Sequence, residues 1–309
     1  MVDGTLAASV VFLLSVAALW LGAELFVTNA ARIARRFGLS ELVVGLTVVA
    51  LGTSAPEVAV SVDAALVGTG DIAVANVVGS NLFNIGIVLG GIAAAVGVRS
   101  SRQMVRRDGA VMVGSTVLVL LFLLDLRLTR LEGAVLLLAF AGYLAWLFLR
   151  PVDGVESNGG TETVGVRAAV LLLTGLGVIV GGAHFLVESA VAIARAGGLS
   201  EWVIGETVVA VGTSTPEVVA SVAAARKGMG DIAAGNLIGS NVFNALFILG
   251  IASTLTPLQV VDTAIGTTTW LLGLSVLAAV LLGTRGQLGR LEGAALVAIN
   301  LTRWILDLL

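Results

Sequence analysis

Two stretches decide how this chain folds: GLSELVVGLTVVALGTSAPEVAVSV, residues 38–62, and GLSEWVIGETVVAVGTSTPEVVASV, residues 198–222. They align without a gap at an offset of 160 residues. The register continues through GDIAVANVVGSNLFN from Gly70 and GDIAAGNLIGSNVFN from Gly230, and RLEGA at Arg130 recurs at Arg290. Self-similarity at a constant offset over this length marks a duplication. Both copies are apolar stretches interrupted near the middle by a Pro-Glu pair, a pattern alien to a soluble core.

The surroundings agree. Of 309 residues, 58% are hydrophobic and 12% charged, with a mean hydropathy of +1.06. A soluble domain carries roughly twice that share of charge, about 25%. Several apolar runs exceed the ~20 residues that cross about 30 Å of hydrocarbon as a helix. They lack the alternation of barrel strands, so the backbone is satisfied within helices. The chain therefore reads as an all-α membrane protein. Its 39 glycines suit helices that approach closely without a hydrophobic drive. Cysteine is absent, which excludes disulfides and thiolate metal sites.

Spans are expected near residues 5–28, 40–66, 71–98, 109–126, 131–149, 167–188, 200–225, 231–256, 263–284 and 289–308. This makes ten transmembrane helices as two inverted five-helix repeats, with broken second and seventh helices. The first repeat is 1–149, with its motif region at 38–90. A short cytoplasmic linker occupies 150–166, and the second repeat is 167–309, with its motif region at 198–250. An odd number of spans per repeat forces the second copy to insert upside down. Basic residues test this independently. Arg32, Arg35, Arg36, Arg99, Arg102, Arg106, Arg107, Arg150, Arg167, Arg226, Lys227, Arg285 and Arg290 all follow odd-numbered spans. The opposite side holds Arg127, Arg130, Arg195 and Arg303. The first side is cytoplasmic by this rule, which leaves both termini extracellular in a multi-pass cell-membrane protein. MVDGTLAASV at the N-terminus lacks the basic region of a cleaved signal peptide, so the first apolar run is expected as a retained helix.

The polar residues inside the spans carry the chemistry. Thr53, Ser54, Pro56 and Glu57 recur as Thr213, Ser214, Pro216 and Glu217. A carboxylate at the bilayer centre costs about 2.5–3.5 kcal/mol on the insertion scale, and neither span contains Lys or Arg. An exogenous cation is the natural partner of the two acids; the competing reading has both protonated as interhelical hydrogen-bond donors. Pro56 lacks an N–H and crowds the carbonyl of Gly52, and residue 55 is expected to leave the helical region. Backbone oxygens around Gly52, Thr53, Gly212 and Thr213 should thus be freed where they line a cavity. A simple packing kink is the bland alternative, and the duplicated Pro-Glu with neighbouring hydroxyls argues against it. In the third span Asn76, Ser80 and Asn84 share one face at i, i+4, i+8, with Asn81 beside it. The eighth span repeats them as Asn236, Ser240, Asn244 and Asn241. Each one alone is compatible with an interhelical hydrogen bond. Together they complete an oxygen-only set suited to hard cations such as Na⁺ or Ca²⁺.

At GTSAPE with GSNLFN, and at GTSTPE with GSNVFN, the chain resembles the Ca²⁺/cation antiporter superfamily, specifically prokaryotic sodium/calcium exchangers. The resemblance covers essentially the whole length. It implies that Glu57 and Glu217 are central ligands and that Thr53 and Thr213 contribute chiefly main-chain oxygen. It also implies that Ser54, Ser80, Ser214 and Ser240 line flanking Na⁺ positions, and that Asn84 and Asn244 complete the middle. Asn244 stands where some relatives have Asp, which argues against K⁺ cotransport. The implied activity is alternating-access exchange of Na⁺ for Ca²⁺, with spans one and six sliding across the rest. A Ca²⁺/H⁺ or broader cation antiporter is the alternative, and a cation channel a further one. No enzyme motif, cofactor, nucleic-acid partner or obligate protein partner is implied; the partners are the transported ions and the bilayer.

Overall fold

The structure, a computed structural model, describes residues 2–36, 50–99, 105–149, 166–226, 228 and 230–308. The first part of the expected second span and most of the linker (37–49 and 150–165) lie outside the described residues, as do Arg102, Arg150 and Lys227. The described chain is helical apart from short turns and four two-residue strands. In order, the helices are α1 (Val2–Arg36), α2 (Ala50–Thr53 continuing as Ala55–Leu66), α3 (Gly70–Val96), α4 (105–122) and α5 (Arg130–Leu149). They are followed by α6 (Val166–Gly197), α7 (Glu201–Thr213 continuing as Thr215–Arg226), α8 (230–255), α9 (Thr263–Arg285) and α10 (Arg290–Leu308). α1 and α6 are longer than the apolar runs that announced them, because polar residues at their ends continue the helix beyond the hydrocarbon length.

Six helices among the described residues are long and apolar enough to cross a membrane, and seven if the bent α7 is one span. Local chemistry sets their ends. The recurring RLEGA is a helix start: the Glu132 carboxylate accepts from the backbone N–H of Thr129 at 2.8 Å, and Glu292 accepts from that of Gly289 at 2.7 Å. These carboxylates satisfy amides that no intrahelical carbonyl can reach. Ser200 opens α7 by accepting from Val203 N–H at 3.2 Å. Gly286 closes α9 in the left-handed region (φ 66°), where only glycine is unstrained.

Burial sorts the helices into layers. The hydrophobic window of α3 is 94% buried and that of α8 is 78% buried, whereas α5 is 11% and α1 24% buried. α3 and α8 therefore form the centre, and the outer helices present apolar side chains such as Leu13, Leu138 and Leu173 outward. α1 packs principally along α6. α3 lies unusually close to α7: a Cβ on Gly79 would collide with the backbone carbonyl of Glu206.

Two small antiparallel ladders tie the ends of the bundle. β1 (Val98–Arg99), after α3, pairs with β4 (Gln287–Leu288), between α9 and α10. β2 (Arg127–Leu128), between α4 and α5, pairs with β3 (Leu258–Gln259), after α8. Each ladder joins one strand from each sequence repeat, and the 160-residue offset converts one ladder into the other.

Candidate cation site

The breaks in α2 and α7 come from proline. Pro56 and Pro216 have no N–H to give to Gly52 and Gly212, and their rings crowd those carbonyls. The chain responds one residue earlier than the sequence implied. Ser54 (φ −86°, ψ 7°) and Ser214 (φ −79°, ψ 8°) leave the helical region, while Ala55 and Thr215 already belong to the next helix. Residue 55 was the expected point of departure. A proline in the first turn of a new helix is tolerated because its missing N–H would be unsatisfied there anyway. The change of direction is therefore made at the serine. The two halves of α7 meet at 50°.

Each break delivers a carboxylate and a hydroxyl to the same place. Glu57 and Glu217 sit in the first turn of the second half-helices, where the backbone dipole favours an anion. Neither carboxylate is solvated: Glu57 is 0% exposed and Glu217 1%. Ser54 does not cap the helix it precedes. The Ser54 hydroxyl donates to Glu217 Oε1 at 2.9 Å, and the Ser214 hydroxyl donates to Glu57 Oε1, also at 2.9 Å. The repeats thus exchange partners across the centre of the bundle. Among the described residues no Lys, Arg or His pairs with either acid. No group of three or more His, Cys, Asp or Glu side chains comes together there either.

α3 and α8 complete the surroundings. Ser80, Asn84, Ser240 and Asn244 are all buried. The two asparagines lie in widened π-helical turns, Phe83–Leu89 and Asn244–Ile248. Such turns concentrate at functional sites, and the sequence offered no warning of them. Asn76, which shares the stripe with Ser80 and Asn84, has another occupation. Its Nδ2 donates to Ser61 Oγ at 2.9 Å and to the Glu57 carbonyl at 3.4 Å, and its Oδ1 accepts from the Thr213 hydroxyl at 3.1 Å. Asn236 likewise donates to Ser221 Oγ at 3.0 Å. Ser61 and Ser221 escaped sequence reasoning, although their recurrence at the repeat offset was a usable signal. The Thr213 hydroxyl donates to Asn76 and lies 3.3 Å from the Ala210 carbonyl; Thr53 is buried as its counterpart in α2.

After these bonds are assigned, six buried oxygens at the centre still have no partner: Glu57 Oε2, Glu217 Oε2, Ser80 Oγ, Ser240 Oγ, Asn84 Oδ1 and Asn244 Oδ1. They form three pairs related by the repeat. A buried oxygen left unpaired costs about 1–3 kcal/mol, and more when charged. Two of the six are oxygens of the carboxylates themselves, and the other four belong to the Ser80/Ser240 and Asn84/Asn244 pairs.

Other polar groups lie elsewhere. His184 of α6 reaches Asp63 of α2, Nδ1 to Oδ1 at 3.3 Å. Glu206 Oε2 accepts from Trp202 Nε1 at 2.9 Å, and Thr267, beside them, accepts from Arg303 at 2.8 Å. Asp125 accepts from the backbone of Arg127 at 3.1 Å, whereas Arg130 donates to the Leu255 carbonyl at 3.2 Å. These are interhelical and helix-end contacts.

A family model described as sodium/calcium exchanger protein matches residues 7–149 and 167–301, leaving aside the linker between the repeats. The chain belongs to the sodium/calcium exchanger family. CaxA of Alkalimonas amylolytica is 36% identical over 305 residues, covering 94% of this chain and 96% of that protein. The sodium/calcium exchanger MaX1 of Methanosarcina acetivorans is 33% identical over 333 residues, covering 93% and 94%. Among solved structures, the sodium-calcium exchanger NCX_Mj soaked with 10 mM Na⁺ and no Ca²⁺ superposes with a TM-score of 0.69 at 32% identity, over 96% of this chain and 98% of that one. A member of this exchanger family is a multi-pass membrane transporter of the cation/Ca²⁺ antiporter type and not an enzyme, in keeping with apolar helices around an oxygen-lined centre.

Proposed function

We propose that this protein exchanges Na⁺ for Ca²⁺ by alternating access at a midplane site built on Glu57 and Glu217. Ser54, Ser214, Ser80, Ser240, Asn84 and Asn244 supply side-chain oxygens, and Thr53 and Thr213 supply main-chain oxygen. The six unpartnered oxygens carry this reading. Two carboxylates balance one Ca²⁺, whose usual 6–8 oxygen ligands match a cage of acids, amides and hydroxyls. Monovalent ions using the same oxygens compete with it, which is the physical basis of exchange.

The proposed scaffold is ten spans in two inverted repeats, with both termini extracellular and the linker cytoplasmic. The strand ladders support it. β1 and β4 both follow odd-numbered spans, and β2 and β3 both follow even-numbered ones, so each ladder joins loops that the charge distribution assigns to one side. The long α1–α6 pair, packed mainly on itself, is suited to slide across the remaining helices and switch access. Extracellular ion exchange and induced binding-site occlusion are described for NCX_Mj, and the likeness to that exchanger supports the same cycle here.

The test is ⁴⁵Ca²⁺ flux into proteoliposomes under imposed gradients. An outwardly directed Na⁺ gradient should drive Ca²⁺ accumulation, and collapsing it should abolish the flux. Flux that follows an H⁺ gradient and ignores Na⁺ would replace this coupling with Ca²⁺/H⁺ antiport. Unitary currents in planar bilayers would replace the antiporter with a channel. Topology is open to single introduced cysteines, since the chain has none of its own.

A further inference from the structure

The amide oxygens of Asn84 and Asn244 are unpartnered for a reason that lies outside the proposed ligands. An asparagine amide offers an oxygen on one side and an NH₂ on the other, and a rotation about its last torsion would exchange them. A cation meeting the NH₂ would be repelled. Here the orientation is set from behind. The Asn84 amide donates through Nδ2 to Asn241 Oδ1 at 3.1 Å, and the Asn244 amide donates to Asn81 Oδ1 at 3.0 Å. Asn81 and Asn241 are themselves immobilised. Asn81 Nδ2 donates to the Asn241 carbonyl at 3.1 Å, and Asn241 Nδ2 donates to the Asn81 carbonyl at 3.1 Å. Asn81 and Asn241 thus close a reciprocal pair through each other's backbone carbonyls, and Asn84 and Asn244 each attach to the member from the opposite repeat; all four side chains are buried. Asn81 and Asn241 use both ends of their amides in these bonds, so their oxygens are partnered where those of Asn84 and Asn244 are not.

We propose that Asn81 and Asn241 are positioning residues: each fixes the amide of the ligand asparagine in the opposite repeat with its oxygen toward the cation. The assignment rests on the cation site proposed above. It has a crossed signature, because Asn241 acts through Asn84 and Asn81 acts through Asn244. A general packing role at the α3–α8 contact would show no such crossing.

The experiment is equilibrium ⁴⁵Ca²⁺ binding to the full chain in detergent, with monodisperse elution and Tm recorded for every variant. Asn84→Ala and Asn241→Ala should each raise Kd by roughly tenfold to a hundredfold, the usual loss when a group that orients a metal ligand is removed. The double variant N84A/N241A should bind no more weakly than N84A alone, because the oriented amide is already gone. By contrast N244A/N241A should show the product of its single effects, and the Asn81 variants should mirror this pattern through Asn244. Multiplicative penalties in N84A/N241A, or a wild-type Kd in N241A, would overturn the positioning role. Where the alanine variant does not fold, Asn241→Asp keeps the acceptor for Asn84. N84A should then retain its full penalty in that background, and disappearance of the penalty would overturn the proposal. Glu57→Gln and Glu217→Gln separate the two readings. Binding lost in both, beside multiplicative asparagine penalties, leaves the site standing and removes the positioning role. Binding retained in both removes the site, and the positioning role with it.

Discussion

Glu57→Gln is the sharpest perturbation of the cage. Glutamine has the same shape, and its oxygen can still accept from the Ser214 hydroxyl, as Glu57 Oε1 does at 2.9 Å. The NH₂ then replaces Oε2, the atom that has no protein partner. The cage loses one of two negative charges, and an N–H₂ group faces the ion. Glu57 is fully buried, so solvent screening does little to soften the change. Removing one member of a buried, hydrogen-bonded charge set costs about 3–5 kcal/mol, or roughly two to three and a half decades in Kd at about 1.4 kcal/mol per decade. Without ions the effect should reverse sign: neutralising one of two buried acids removes a desolvated charge, so the apo protein should melt at the same temperature or higher. Ca²⁺ at 100 times the wild-type Kd stabilises the wild type by about 2.7 kcal/mol. A hundredfold weaker variant gains about 0.4 kcal/mol or less under the same conditions. Thermal unfolding in detergent with and without Ca²⁺, alongside ⁴⁵Ca²⁺ binding, reads both quantities. A Kd within threefold of wild type, with Ca²⁺ stabilisation intact, would refute the assignment of Glu57 as a ligand.

Three further outcomes are expected. Ser54→Ala removes a 2.9 Å hydrogen bond to Glu217, a bond to a charged group worth about 1.5–3 kcal/mol; the half-saturating Na⁺ concentration for exchange should rise about tenfold or more. Ser214→Ala should match it, and an effect confined to one serine would contradict the equivalence of the repeats. Pro216→Ala returns an N–H to the Gly212 carbonyl and relaxes the 50° bend of α7; Ca²⁺ flux should fall at least tenfold (an order-of-magnitude expectation from the loss of the broken helix) while Tm holds or rises. Gly79→Val drives a side chain into the backbone of Glu206; overpacking of about 1–3 kcal/mol should lower Tm in detergent, and an unchanged Tm would show that α3 and α7 are not held this closely.

Much of the molecule was legible in one dimension because duplication writes the same chemistry twice. The Pro-Glu pairs announced broken helices bearing buried acids, whereas RLEGA showed in sequence only as a recurrence, and its role at helix starts came from the bonds of Glu132 and Glu292. Proline acts locally, on its own N–H and the carbonyl four residues back, so its consequence follows from sequence to within one residue. The π-helical turns around Asn84 and Asn244 were not legible. A widened turn arises where packing makes an extra residue per turn favourable, and no residue type encodes it.

By itself the sequence determined that the chain lies in a membrane, that it is doubled, and which oxygen-bearing residues recur within its spans. These follow from apolar length, from the 160-residue offset and from the cost of burying charge. Only the tertiary structure decided who bonds to whom. Ser54 is three residues from Glu57, yet it donates to Glu217. Asn76 shares a face with Ser80, yet it is taken up by Thr213 and Ser61. Asn81 and Asn241 set each other across α3 and α8. Hydrogen bonds reach about 3 Å in space regardless of separation along the chain, so the choice of partner is made where helices cross.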